Sequence, residues 1–210
     1  MEIEQMPRTV LRKSGLILAA ALMFGAPPAM AQQFSDGYQF LKAVKDRDGD
    51  SATKFLKAPG STVINARDQS TGQTALFAVV QRRDEVWLRF LLDQGANPNI
   101  PAYNGATALG LAVNLGWVEG AERLLNKGAN INDKTDTGET PLINAVHQRN
   151  IPLIRLLLKH GADADRTDNS GRSARDYAQL LSKSSGVIEA IDQAESERGE
   201  STPKSYGPGL

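Results

Sequence analysis

The side chains that could do chemistry here are a short acidic run and two histidines. Asp46-Arg47-Asp48-Gly49-Asp50 has the carboxylate density of a calcium-binding loop. Such a loop needs a glutamate at its far end to grip the ion with both oxygens. None follows the Asp-Gly pair at that distance, and position 57 is Lys. The stretch therefore reads as a polar turn between two helices. His147 and His160 lie too far apart to make a recognisable ligand pair, and cysteine is absent. Thiolate zinc sites, iron–sulfur clusters, thiol nucleophiles and disulfides are excluded. No G-x-S-x-G, H-E-x-x-H, phosphate-loop or G-x-G-x-x-G pattern occurs. His160 precedes a helix stop, where it can meet the carbonyl end of the helix dipole. His147 keeps two open readings, a solvent-facing residue or a contact on a binding surface. No catalytic residue, cofactor or metal site is expected, and the chain reads as a non-enzyme.

The elements that would position any site belong to a chain of 210 residues, long enough for a sizeable core. Apolar residues make up 40% and charged residues 23%, a globular balance. Aromatics are only 6%, which suits a core of Leu, Ile, Val and Ala. Bases and acids number 24 each. Removing residues 1–31 takes away three bases and two acids and leaves a net charge of −1. No electrostatic footprint for nucleic acid or anionic lipid results.

Those thirty-one residues read as an address. Arg8, Arg12 and Lys13 precede the apolar run 16–24, followed by Pro27-Pro28 and Ala29-Met30-Ala31. A basic region, a short apolar core and an A-x-A site make a secretory signal, with cleavage expected between Ala31 and Gln32. The competing reading is an uncleaved anchor, but a membrane span needs about 20 apolar residues. The expected location is periplasmic or secreted, with no stable membrane insertion after cleavage. Without paired arginines, export of the folded chain is not expected.

Self-comparison reveals a period of 33 residues. Gly72, Gly105, Gly138 and Gly171 keep that step, as do Thr74, Thr107, Thr140 and Ser173. Leu91-Leu92, Leu124-Leu125 and Leu157-Leu158 follow it, as do Gly95-Ala96, Gly128-Ala129 and Gly161-Ala162. Two polar series run in phase: Asn97, Asn130, Asp163 and Asn99, Asn132, Asp165. The threonines suit helix N-caps, and Pro141 suits a first helical position. Leu76, Leu109 and Leu142 open a buried face, and Ala112, Ala145 and Ala178 allow close helix approach. A second helix carries Val86, Leu88, Leu91 and Leu92 in one repeat and Ile151, Ile154, Leu157 and Leu158 in another, an apolar face at helical spacing. Gly95, Gly128 and Gly161 end it. Trp117 is expected in the core. Trp87 stands at the position that is Gly120 one repeat later, so a large side chain filling a neighbour's gap is expected there.

Thr140-Pro141-Leu142-Ile143-Asn144-Ala145 and Leu157-Leu158-Lys159-His160-Gly161-Ala162-Asp163 resemble the signature of the ankyrin repeat family. The resemblance implies an all-α ankyrin-repeat solenoid of stacked helix–turn–helix units with short hairpin loops. It covers an N-terminal cap repeat at 35–67, full repeats at 68–100, 101–133 and 134–166, and a C-terminal cap repeat at 167–195. Together with residues 32–34 these form one domain. The Ser-, Glu- and Gly-rich residues 196–210 read as a disordered tail. The family's turn histidine is replaced by Phe77, Gly110, Ile143 and Asp176, so looser turns are expected.

In that family, partners bind at the hairpin tips and the exposed side of the first helices, a concave face. Carried over residue by residue, the contact set is Ser70, Gln81, Arg82, Tyr103, Asn104, Asn114, Asp136, His147, Gln148 and Asn169. Its mixture of charges, amides and one tyrosine suits a protein surface rather than a lipid or an apolar small molecule. The implied function is a non-catalytic, monomeric interaction module that binds or protects another protein. The alternative is an inhibitor or regulator that occludes a partner enzyme's active site.

Overall fold

A buried Thr or Ser opens the first helix of each of the last four units, and in three of them its hydroxyl accepts from the next turn. Thr107 accepts from Gly110 N–H at 3.2 Å and Thr140 from Ile143 N–H at 3.3 Å. Ser173 forms a reciprocal capping box with Asp176, while Thr74 makes no side-chain cap bond. Each cap satisfies a backbone donor that the helix itself cannot, worth about 0.5–2 kcal/mol.

The computed structural model describes residues 28–181 and 186–201. Within them lie ten α-helices and no strand. They run in pairs: α1 Pro28–Lys45 with α2 Gly49–Lys57, α3 Ala75–Gln81 with α4 Glu85–Asp93, α5 Ala108–Asn114 with α6 Val118–Asn126. The last pairs are α7 Pro141–His147 with α8 Ile151–Lys159 and α9 Ala174–Leu180 with α10 Val187–Ser201. First helices stack on first helices, in the order α1, α3, α5, α7, α9. Second helices do the same, α4 on α6 on α8 on α10. One apolar core runs from Phe40 to Ile191. Leu76, Leu109 and Leu142 are buried in it, as are Leu88, Leu91, Leu124, Leu153, Ile154, Leu157 and Leu158.

The paired leucines do two jobs. Their side chains enter the core, and their carbonyls stop the helix. Ala96 N–H donates to Leu91 O and Gly95 N–H to Leu92 O, and the same two bonds recur at Leu124-Leu125 and Leu157-Leu158. This closure needs a left-handed residue, which Gly95, Gly128 and Gly161 supply at φ of 84°, 81° and 92°. First helices close in the same way, with Arg83, Gly116 and Arg149 at positive φ. The next residue then caps the second helix: Asp84 accepts from Trp87 N–H and Asn150 from Leu153 N–H, both at 3.2 Å.

The second polar series bonds one repeat to the next. Asn65 Oδ1 accepts from Asn97 N–H at 2.8 Å, Asn99 Oδ1 from Asn130 N–H at 2.8 Å, and Asn132 Oδ1 from Asp163 N–H at 3.1 Å.

Four expectations need correcting. Trp87 does not fill the gap at Gly120. Trp117, within the same repeat, lays its ring over Gly120, and a Cβ there would sit 2.2 Å from the ring. Trp117 occupies the cap position where neighbouring units have Asp84 and Asn150, and it makes no cap bond. It covers that turn with a buried ring instead, as its expected core role requires. Trp87 packs edge-on against Phe90, with ring centres 5.6 Å apart, and lies beneath Arg82. Second, Val86 is 66% exposed, because it points away from the stack in the first turn of α4. Third, the turns are not left loose by the missing histidines. Asp68 and Asp168 gather the N–H groups of their own tips, and Tyr103 N–H donates to Thr71 O in the preceding tip at 2.9 Å.

Fourth, the stretch from 196 is helical as far as Ser201. Glu, Gln, Ala and Arg favour helix even where apolar residues are few. Gln193 donates to Glu197 one turn on at 2.9 Å. Arg175, standing where other units have a buried leucine, holds Asp165, Asp192 and Glu195 together at 2.8, 3.2 and 2.6 Å. It thereby ties α10 to the end of the stack. The basic segment and apolar run of the expected export signal lie outside the described residues, as do residues 202–210. The expected cleavage point falls within α1.

Two glycines at the same helical position should respond oppositely to alanine. Gly120→Ala meets the Trp117 ring and is expected to destabilise by about 1–2 kcal/mol. A Cβ at Gly110 touches only Thr107 Oγ1, at 3.5 Å, so Gly110→Ala is expected to stabilise by about 0.5 kcal/mol. Urea unfolding of both variants measures the signs.

Candidate functional site

Hairpin tips and first helices enclose a trough, because the tip of each unit leads directly into its first helix. Gln81, Asn104 and Asn114 line one hollow of this trough, with a volume of about 240 Å³. Its floor is set by a single substitution along the first-helix series. Phe77 and Ile143 are buried at the equivalent position on either side, whereas Gly110 leaves space between them. Gln81 and Asn114 are exposed and their side chains make no hydrogen bond within the described residues, while Asn104 Oδ1 accepts from Ala106 N–H at 3.3 Å.

Ser70 and Tyr103 line a second, wider groove of about 1130 Å³ toward the N-terminal end, together with Tyr38, Lys42 and Lys45. Tyr103 is 63% exposed. Its ring leans over Gly72 and lies 5.1 Å from the Arg67 guanidinium, a cation–π contact that fixes its direction. Arg67 in turn donates to Gly72 O at 3.0 Å and Pro101 O at 2.7 Å, which ties two tips together.

His147 stands edge-on to Tyr177 with ring centres 4.4 Å apart, and its Nδ1 is 3.8 Å from Glu139. Tyr177 donates its hydroxyl to Asp168 Oδ2 at 2.7 Å. Asp136 is exposed at its tip, beside Gly105 of the preceding one. Sequence reasoning did not single out Tyr177, although an aromatic where the other repeats have Ala78, Leu111 and Asn144 was the available signal.

Arg82, Gln148 and Asn169 are engaged differently. Arg82 donates to Val44 O at 2.9 Å and pairs with Asp84 at 3.1 Å. Gln148, two repeats on at the same position, donates to Val113 O at 3.0 Å. Both reach back to a carbonyl of the preceding first helix, so they brace the stack. Asn169 Nδ2 donates to Asp136 O at 2.9 Å and joins the last two tips.

Among the described residues no group of three or more His, Cys, Asp or Glu could hold a metal ion, and no helix is long and apolar enough to cross a membrane.

The sequence matches models for ankyrin repeats over residues 40–135 and 124–178. It is 38% identical to the B-cell lymphoma 3 protein homolog of Mus musculus over 109 residues, 49% of this chain and 24% of that protein. It is 28% identical to a putative ankyrin repeat-containing protein of Treponema pallidum over 174 residues, 83% of this chain and 56% of that protein. An L-asparaginase of Dirofilaria immitis is 30% identical over 137 residues, 65% of this chain and 23% of that protein. The chain thus spans a quarter to little more than half of these relatives.

The tips carry an acid dependence. Hydrogen bonds from Ser170 first, then Tyr177, hold the Asp168 carboxyl below its ordinary value of 3.8, and Ser70 does the same for Asp68. Their contributions are therefore full above pH 3.8 and are lost as pH falls through the lowered folded values. Asp168→Asn should unfold at a lower temperature than the parent chain near neutral pH. The gap should narrow between about pH 5 and pH 2, as read by circular dichroism melts.

Proposed function

The chain belongs to the ankyrin repeat family, whose members mediate protein–protein interaction, and from that premise we propose that it is an exported, non-catalytic module. In this reading it binds or protects one partner protein through the trough between its hairpins and first helices. The observation that carries the proposal is the pair of free amides. Gln81 and Asn114 stand one repeat apart at the rim, exposed and without intramolecular hydrogen bonds.

Some charges on the outer helices pair with each other. Lys127 pairs with Asp93 at 2.9 Å, and Arg123 pairs with Glu85. In the trough, Gln81 and Asn114 keep their side-chain amides for another molecule, with Tyr103 as an aromatic anchor of the kind that dominates interface energetics. The N-terminal pattern of Arg8, Arg12, Lys13 and the apolar run supports export to the periplasm or beyond.

Two measurements test this. Mass spectrometry of the protein from its native source should give a terminus at Gln32; a retained Met1 would refute cleavage. Cross-linking in the cell-envelope fraction should capture a partner. Tyr103→Ala combined with His147→Ala should reduce capture about tenfold or more while circular dichroism stays unchanged. Undiminished capture would remove the trough from the interface.

A further inference from the structure

The hollow at Gly110 has a chemistry that specifies what enters it. Its volume of about 240 Å³ is below the 300–1,000 Å³ typical of small-molecule sites and suits a single side chain. Phe77, Leu111 and Pro141 give it apolar sides. Two carboxylates also line it, Asp133 and Glu139. Asp133 is half-buried and has no hydrogen bond or ion pair among the described residues. Among the described residues the side chain of Glu139 makes no hydrogen bond, and its one ion-pair contact is His147 Nδ1 at 3.8 Å, beyond hydrogen-bond range. The one cation lining the hollow, Lys134, donates its Nζ to Thr167 O in the next tip.

An apolar cleft whose lining carries two carboxylates against one ammonium fits a long aliphatic stem ending in a cation. We propose that the hollow receives one arginine or lysine side chain from an extended segment of the partner. The stem lies along Phe77 and Leu111, and the cation meets the field of Asp133 and Glu139. Gln81 and Asn114, each able to donate and accept, take the flanking main chain. This deepens the reading of the trough as a protein-binding surface and rests on it.

The test pans a displayed library of random twelve-residue peptides against the chain from Gln32 onward. Enriched sequences should share one Arg or Lys, and replacing that residue with norleucine should weaken binding about tenfold. Asp133→Asn with Glu139→Gln should weaken it similarly and flatten its salt dependence. Gly110→Leu should abolish it by filling the hollow. Circular dichroism verifies that each variant is folded, and a Cβ at Gly110 meets no close atom that would unfold it.

Enriched peptides without a basic residue, or peptides indifferent to both sets of changes, overturn the proposal. If such peptides are lost on Tyr103→Ala with His147→Ala, the trough still binds protein and only the hollow is wrong. If no trough substitution affects them, both readings fall. A library yielding no enriched sequence also overturns the proposal, since an isolated extended segment should suffice.

Discussion

The apolar seam between successive helix pairs governs this molecule. A single unit of two short helices cannot surround its own leucines, so each unit is folded only as far as its neighbour covers it. Burying one such leucine is worth about 1.5–3 kcal/mol, and that gain is drawn both from the partner helix within the unit and from the neighbours across the seam. The result is one uninterrupted core from Phe40 to Ile191 instead of five small ones. The pattern changes at both ends of the described stack. At the N-terminal end α1 is longer than the first helices that follow it. At the C-terminal end the expected leucine becomes Arg175, which bridges Asp165 to Asp192 and Glu195 of α10.

A seam between helices also brings together backbone groups that need partners. The asparagine series answers this by accepting N–H groups of the next repeat, and Arg82 and Gln148 answer it by donating to carbonyls of the preceding one. These bonds set the spacing of the units. They also divide the polar surface into groups already committed to the stack and groups left for another molecule. Gln81, Asn114 and Asp133 fall in the second class, and all three line the trough. The proposed binding surface is thus what remains after the stack has satisfied itself.

Much of the fold was legible because repetition converts tertiary packing into sequence spacing. Thr107 and Thr140 cap helices, the paired leucines are buried, and Gly95, Gly128 and Gly161 close the second helices, as their period implied. The same periodicity misled where neighbours were assumed to be partners. Trp87 and Gly120 are equivalent in register yet do not meet, because a side chain at the start of the second helix packs within its own turn and the Trp117 ring is already there. Composition misled only at the last turns of α10, residues 196–201, since a scarcity of apolar residues says nothing about helix propensity.

For the binding surface, sequence alone determined which positions recur on the tips and first helices, and hence that Gln81, Asn114 and His147 form one series. It could not tell a free donor from a committed one. Arg82 and Gln148 belong to the same polar band by type and spacing, and only the distance to Val44 O and Val113 O shows that the fold uses them. Nor could it show that Gly110 opens a hollow, since a missing side chain becomes a cavity only if the neighbours do not close over it. Register is a one-dimensional property and repeats expose it. Commitment of a hydrogen-bonding group and enclosure of space depend on which atoms come within a few ångströms, and only packing decides that.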